Sequence, residues 1–156
     1  MKVAKLNREL DRIQSLIPRS ALSATAVSAA PVGWHLDHAL RVVLAVSRAA
    51  AASDPADYRR SFHPLRTLLL LAGRFPRGIA KTPRVVDSPP GVTQEEIHAR
   101  LGEARTILAT LPRLAAHQHF DHFAMGLLDR DQTVAFLLMH TRHHLRIVND
   151  ILRTRP

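Results

Sequence analysis

Apolar residues recur at alternating intervals of three and four along most of this chain, a repeat that fits packed α-helices and little else. Val3, Leu6, Leu10, Ile13 and Ile17 form the first such face, closed by Pro18. From Pro31 to Ala52 no helix breaker follows Gly33, and apolar residues surround most of the cylinder. That stretch is expected to be a central helix, entered at Pro31. Asp54-Pro55 reads as the start of a third long helix, with Tyr58, Phe62, Leu65 and Leu69 as its buried stripe up to Gly73. Thr93 and Glu96 have capping-box spacing ahead of Ile97, Leu101, Ala104, Leu108 and Leu111, and Pro112 should end or kink that helix. Asp129 or Asp131 can cap a last helix running through Phe136, Leu137, His140, His144, Ile147 and Ile151.

No segment shows convincing period-two alternation, so the expected fold is all-α, one domain over residues 1–156. A chain of this length can bury about two-thirds of the surface it exposes when unfolded, enough for one core without staples. Two segments stand apart from the helical pattern. Ser20 to Ala30 is small and Ser/Ala-rich, either a loop draped on the bundle or an irregular lead into the next helix. Between Arg74 and Gly91, Pro76, Pro83, Pro89 and Pro90 together with Gly78 forbid helix interior and central strand. A loop of that length in a compact domain is often a binding loop or lid.

Composition excludes several chemistries. With no cysteine there is no disulfide, thiolate metal site or cysteine nucleophile, and the expected compartment is the cytoplasm. Lys5, Arg8, Glu9, Asp11 and Arg12 interrupt any apolar signal segment, and the aliphatic run Leu68 to Ala72 is far shorter than the roughly 20 residues a membrane span needs. The net charge of +9 admits nucleic acid or an anionic surface as partner. The basic residues are mostly scattered arginines without interleaved aromatics, which argues against nucleic acid and for a solvated basic surface.

The chemistry lies in the histidines. On a helix, Phe136, His140, His144, Ile147 and Ile151 fall within roughly 80° of one another, so two imidazoles share the face that the apolar residues bury. Two imidazoles one turn apart can converge on one metal ion, and a third ligand must come from another element. His38 lies with Trp34, Val42, Ala45 and Ala49 on a mainly apolar stripe and is the chosen third ligand. His35 is its nearest competitor, and His143 competes with His144. No HExxH glutamate is present, which argues against a zincin protease. His63 and His98 read as solvent-facing or structural. His117, His119 and His122 read as turn or surface residues, with a second metal site as the alternative.

Trp34-His-Leu-Asp-His38 on an early helix and Met139-His140-Thr-Arg-His143-His144 on the last resemble the DinB/YfiT superfamily of four-helix-bundle metalloenzymes over nearly the whole chain. The resemblance implies a four-helix bundle with an extra short helix and a long Pro-rich loop. It implies a divalent ion, zinc or nickel, on His38, His140 and His144, and thiol S-transferase or hydrolase chemistry on a small molecule such as a low-molecular-weight thiol. It also implies homodimers, for which Val43 to Ala52 offers an alanine-rich surface. Arg74, Arg77, Lys81 and Arg84 are then candidates to hold substrate carboxylates. Asp37, Asp121 and Asp150 are candidates to orient the imidazoles. The competing reading is a non-catalytic bundle with a basic partner-binding surface.

Overall fold

The computed structural model describes residues 2–75 and 86–154. Five α-helices pack together beside a small two-stranded hairpin: α1 (Lys2–Leu16), α2 (Val32–Ala52), α3 (Pro64–Ala72), α4 (Gln94–Leu108), then β1 (His119–His122), β2 (Gly126–Asp129) and α5 (Arg130–Arg153). Four helices close a ring in which α1 meets α5, α5 meets α2, α2 meets α4 and α4 meets α1, while α3 rests against α5. No helix among the described residues is long and apolar enough to cross a membrane.

The three-four repeat decides which faces turn inward. Leu6, Leu10 and Ile13 of α1, Ile97, Ala104 and Leu108 of α4, and Leu137, Val148 and Ile151 of α5 are fully buried in one core. Each large aliphatic side chain so placed contributes roughly 1.5–3 kcal/mol relative to exposure. The central helix is α2, in which Leu36, Leu40 and Val43 are buried on one side and Val42 and Val46 on the other. Val43, Leu44, Val46, Ser47 and Ala50 all face the interior, so its alanine-rich end leaves Arg48, Ala49, Ala51 and Ala52 on the outside, with Ala45 half-buried.

Helix ends follow the expected chemistry. The Thr93 hydroxyl accepts from Glu96 N–H while the Glu96 carboxylate accepts from Thr93 N–H, a complete capping box. Asp129, rather than Asp131, caps α5, with Gln132 closing the reciprocal bond. Ser20 to Pro31 is an ordered irregular lead. The N–H groups of Val32 and Gly33 donate to the carbonyls of Leu22 and Ser20 at 2.8 Å each, so backbone does for α2 what a capping side chain does elsewhere. The lead packs so closely that a Cβ on Gly33 would sit 3.1 Å from the Ser20 carbonyl oxygen.

Two expectations fail. The third helix is short: residues Pro55–Asp57 make a single 3-10 turn capped by Asp54, and α3 starts only at Pro64, with His63 as its cap. Proline pushes the preceding residue out of the α region, so Pro64 forbids continuity from 55 to 73. The expected stripe is not buried either, for Phe62 is 83% and Leu65 44% exposed. The second failure is the hairpin. His119–His122 pairs antiparallel with Gly126–Asp129 in the register His119 to Asp129 and His122 to Gly126, joined by three residues and a left-handed Gly126 at φ 64°. Strands of four residues are too short to display alternation, which is why periodicity missed them.

Candidate metal centre

His38 stands in the second turn of α2, and His140 and His144 stand one turn apart on α5, the helix packed against it. The packing brings all three rings together: centroids lie 5.1 Å apart for His38 and His140, 4.6 Å for His38 and His144, and 4.6 Å for His140 and His144. One nitrogen from each ring can be chosen so that all three lie within 4.8 Å of one another. Tetrahedral ligation at about 2.0–2.1 Å sets nitrogens roughly 3.3–3.5 Å apart, so small inward ring rotations would complete the fit.

Burial holds the rings neutral, the form that ligates metal. It is the main cause that lowers the pKa of His38 below the usual 6.5 and those of His140 and His144 well below it, and neighbouring imidazoles push the last two further down. Backbone polarity opposes this at His38, whose Nδ1 bonds the Val86 carbonyl at 2.8 Å. That bond places the proton on Nδ1 and leaves Nε2 free, the arrangement common to metal-bound histidines. Trp34 stacks on the His38 ring, 4.9 Å away and 13° from parallel. Phe136 and Phe75 wall the other side, 5.8 and 6.3 Å from His140.

His140 Nδ1 is buried without a hydrogen-bond partner among the described residues. Leaving such a nitrogen unpaired costs about 1–3 kcal/mol, and a cation among the rings is a group that could meet the deficit. The donor set therefore fits a divalent ion: three neutral imidazoles, one with its second nitrogen already anchored and one with an orphaned nitrogen.

The two competing histidines are placed differently. His35 is buried with its Nδ1 3.1 Å from Nδ1 of His144 and its Nε2 3.0 Å from the Ser28 hydroxyl, and burial with neighbouring imidazoles lowers its pKa to about 4. His143 is half-buried and meets Phe75 and His144 edge to face, outside the three-ring cluster.

Of the carboxylates expected to orient imidazoles, Asp37 has other partners. Asp37 is completely buried and accepts from Arg41 Nε at 2.6 Å, Arg100 Nε at 2.7 Å and the Ser88 hydroxyl at 2.6 Å. It thereby ties α2 to α4 and to the segment that carries Val86. Asp121 is exposed on β1, and Asp150 accepts through its backbone carbonyl from Thr154 at the end of α5. The groups that the structure sets against these imidazoles are instead the Val86 carbonyl, on His38, and His35, on His144. Neither had a sequence signal, because a carbonyl partner carries no residue identity and the His35 contact crosses between helices.

His117, His119 and His122 do not converge. His117 stacks on Tyr58, His119 lies near the same ring, and His122 packs on Phe123 and Phe136. His63 caps α3 and His98 is exposed, as expected of structural or surface residues. Arg74 is exposed just beyond α3, whereas Arg77, Lys81 and Arg84 lie outside the described residues. The far end of the Pro-rich loop is packed rather than free: Val86 and Ser88 are buried against α2 through their bonds to His38 and Asp37.

Comparison of the chain with protein-family models, curated proteins and solved structures found no match. The resemblance drawn from Trp34 to His38 and Met139 to His144 therefore rests on these residues alone.

Proposed function

We propose that this chain is a divalent-metal protein of the DinB/YfiT type that binds zinc or nickel through His38, His140 and His144 and acts on a small molecule. The observation that carries this reading is the convergence of three neutral imidazoles, contributed by helices about 100 residues apart in sequence, to within 4.8 Å. A core that merely tolerated histidines would give each ring its own carbonyl or water. Here three rings share one space, and one keeps a buried nitrogen unpaired among the described residues.

His38, His140 and His144 would hold the ion, which would supply Lewis-acid chemistry by lowering the pKa of a thiol or water bound beside them. The chain's own residues hold the geometry. Val86 fixes the tautomer of His38, Trp34 covers one face of that ring, and Phe75 and Phe136 keep water from the side of His140. Thiol S-transfer is the favoured reaction and hydrolysis the second. Arg74, Arg77 and Lys81 are proposed to hold substrate carboxylates, which suits a small acidic thiol.

Metal stoichiometry of untagged protein, measured by inductively coupled plasma mass spectrometry, tests the reading. Wild type should hold about one equivalent, with loss in His38→Ala and in the double variant His140→Ala, His144→Ala. Absence of metal after reconstitution with zinc or nickel would sink it.

A further inference from the structure

We infer that Ser28, His35 and His144 form a hydrogen-bonded relay in which His35 is a positioning residue that makes His144 present Nε2 to the metal. The inference rests on the metal-site reading and adds a residue and a proton arrangement that the three ligands alone do not contain.

The geometry starts from helix spacing. His35 precedes His38 by three residues on α2, so both rings leave the helix on the same face, toward α5. His38 reaches the cluster. His35 is displaced along the helix and meets the outer nitrogen of His144 instead, Nδ1 to Nδ1 at 3.1 Å. Beyond it stands Ser28, whose oxygen lies 3.0 Å from His35 Nε2 and accepts from the Ala30 N–H at 3.2 Å. Both rings are buried, with His35 4% and His144 8% exposed. Water therefore has little access to exchange for these bonds.

Two neutral imidazoles facing each other through Nδ1 need one donor and one acceptor, because two N–H groups repel and two lone pairs make no bond. Only two arrangements satisfy the chain. In one, His144 Nδ1–H donates to His35 Nδ1, and His35 Nε2–H donates to Ser28, whose two lone pairs then serve Ala30 and His35. His144 Nε2 is left bare and can ligate. In the other, the Ser28 hydroxyl donates to His35 Nε2 and His35 Nδ1–H donates to His144 Nδ1. His144 then carries its proton on Nε2 and cannot ligate. A cation selects the first arrangement while both hydrogen bonds persist with donor and acceptor exchanged: His144 Nε2 gives its proton to solvent, the His35 Nδ1 proton passes to His144 Nδ1, the Ser28 proton passes to His35 Nε2, and Ser28 takes one proton back from solvent. The same logic operates at His38 through Val86, so two of three ligands have an anchored outer nitrogen.

The test uses the full chain. Zinc affinity, measured by chelator competition, should fall about 10–100-fold in His35→Ala. His35→Asn supplies a carbonyl oxygen that can accept from His144 Nδ1–H and should recover a clear part of the loss. Affinity of His35→Ala within twofold of wild type overturns the proposal. Scalar coupling across the His35–His144 hydrogen bond, read by NMR on protein carrying nitrogen-15 histidine, gives a second readout that needs no metal and should vanish in His35→Asn. Absence of the coupling in a wild type that binds zinc refutes the relay alone. A wild type that shows the coupling yet takes up no zinc or nickel refutes the metal site and, with it, the relay's role in ligation.

Discussion

Replacing Asp37 by asparagine should destabilise the protein far more than any surface ion pair would, and should weaken metal binding from a position that touches none of the rings. Asp37 is fully buried and accepts three hydrogen bonds of 2.6–2.7 Å, two from guanidinium groups. Asparagine keeps the shape but removes the charge, and turns an amide N–H₂ toward at least one donor. Removing one partner of a buried ion pair costs about 3–5 kcal/mol because the remaining charge is left without compensation. Arg41 and Arg100 are 28% and 19% exposed and can recover some hydration, which places the expected loss toward the lower end of that range. For a domain of this size it corresponds to a fall of roughly 6–12 °C in melting temperature. Ser88 would be released with the carboxylate, loosening the segment that holds Val86 on His38, so zinc affinity should fall about tenfold as well. Urea denaturation followed by circular dichroism measures the first effect and chelator competition the second. Arg48→Ala breaks the exposed Arg48–Glu103 pair and should change stability by less than about 0.5 kcal/mol. If Asp37→Asn cost no more than Arg48→Ala, the buried carboxylate would not be the tie described here.

Metal-free protein should lose stability as pH falls from 6.5 toward about 4. His35 is neutral in both states above pH 6.5 and contributes nothing there; below it the unfolded chain binds a proton that the folded ring refuses until about pH 4. The slope is about 1.4 kcal/mol per pH unit, roughly 3 kcal/mol in all, and His38, His140 and His144 are displaced in the same direction and steepen it. Denaturant midpoints at pH 7, 5.5 and 4.5 check this, and a flat profile would contradict neutral buried imidazoles. Asp129→Ala removes the capping box of α5 and should cost about 1 kcal/mol, with zinc stoichiometry unchanged because the ligands lie at least two turns further on. A loss of metal in that variant would mean that the start of α5 positions the histidines more directly than its capping bonds indicate.

Much of this protein is determined by local pattern. Leu6, Leu10 and Ile13, or Ile97, Leu101 and Leu108, repeat with the period of a helix and can be buried only along one face. The capping boxes at Thr93 and Asp129 likewise need residues only three apart. His140 and His144 share a face for the same reason, so the half of the site that lies on one helix was legible. The short α3 was legible too, since Pro64 carried the signal that the apolar spacing around it outweighed. What the linear order left open was decided by packing between elements distant in sequence. His38 and His35 stand on nearly the same face of α2, and only the placement of α5 against α2 puts one ring in the cluster and the other behind His144. Asp37 lies beside His38 in sequence and faces Arg100 on α4, because neighbouring helical residues diverge by about 100°. A helix repeat specifies which way a side chain points; what it meets there depends on the neighbour that the whole core brings up.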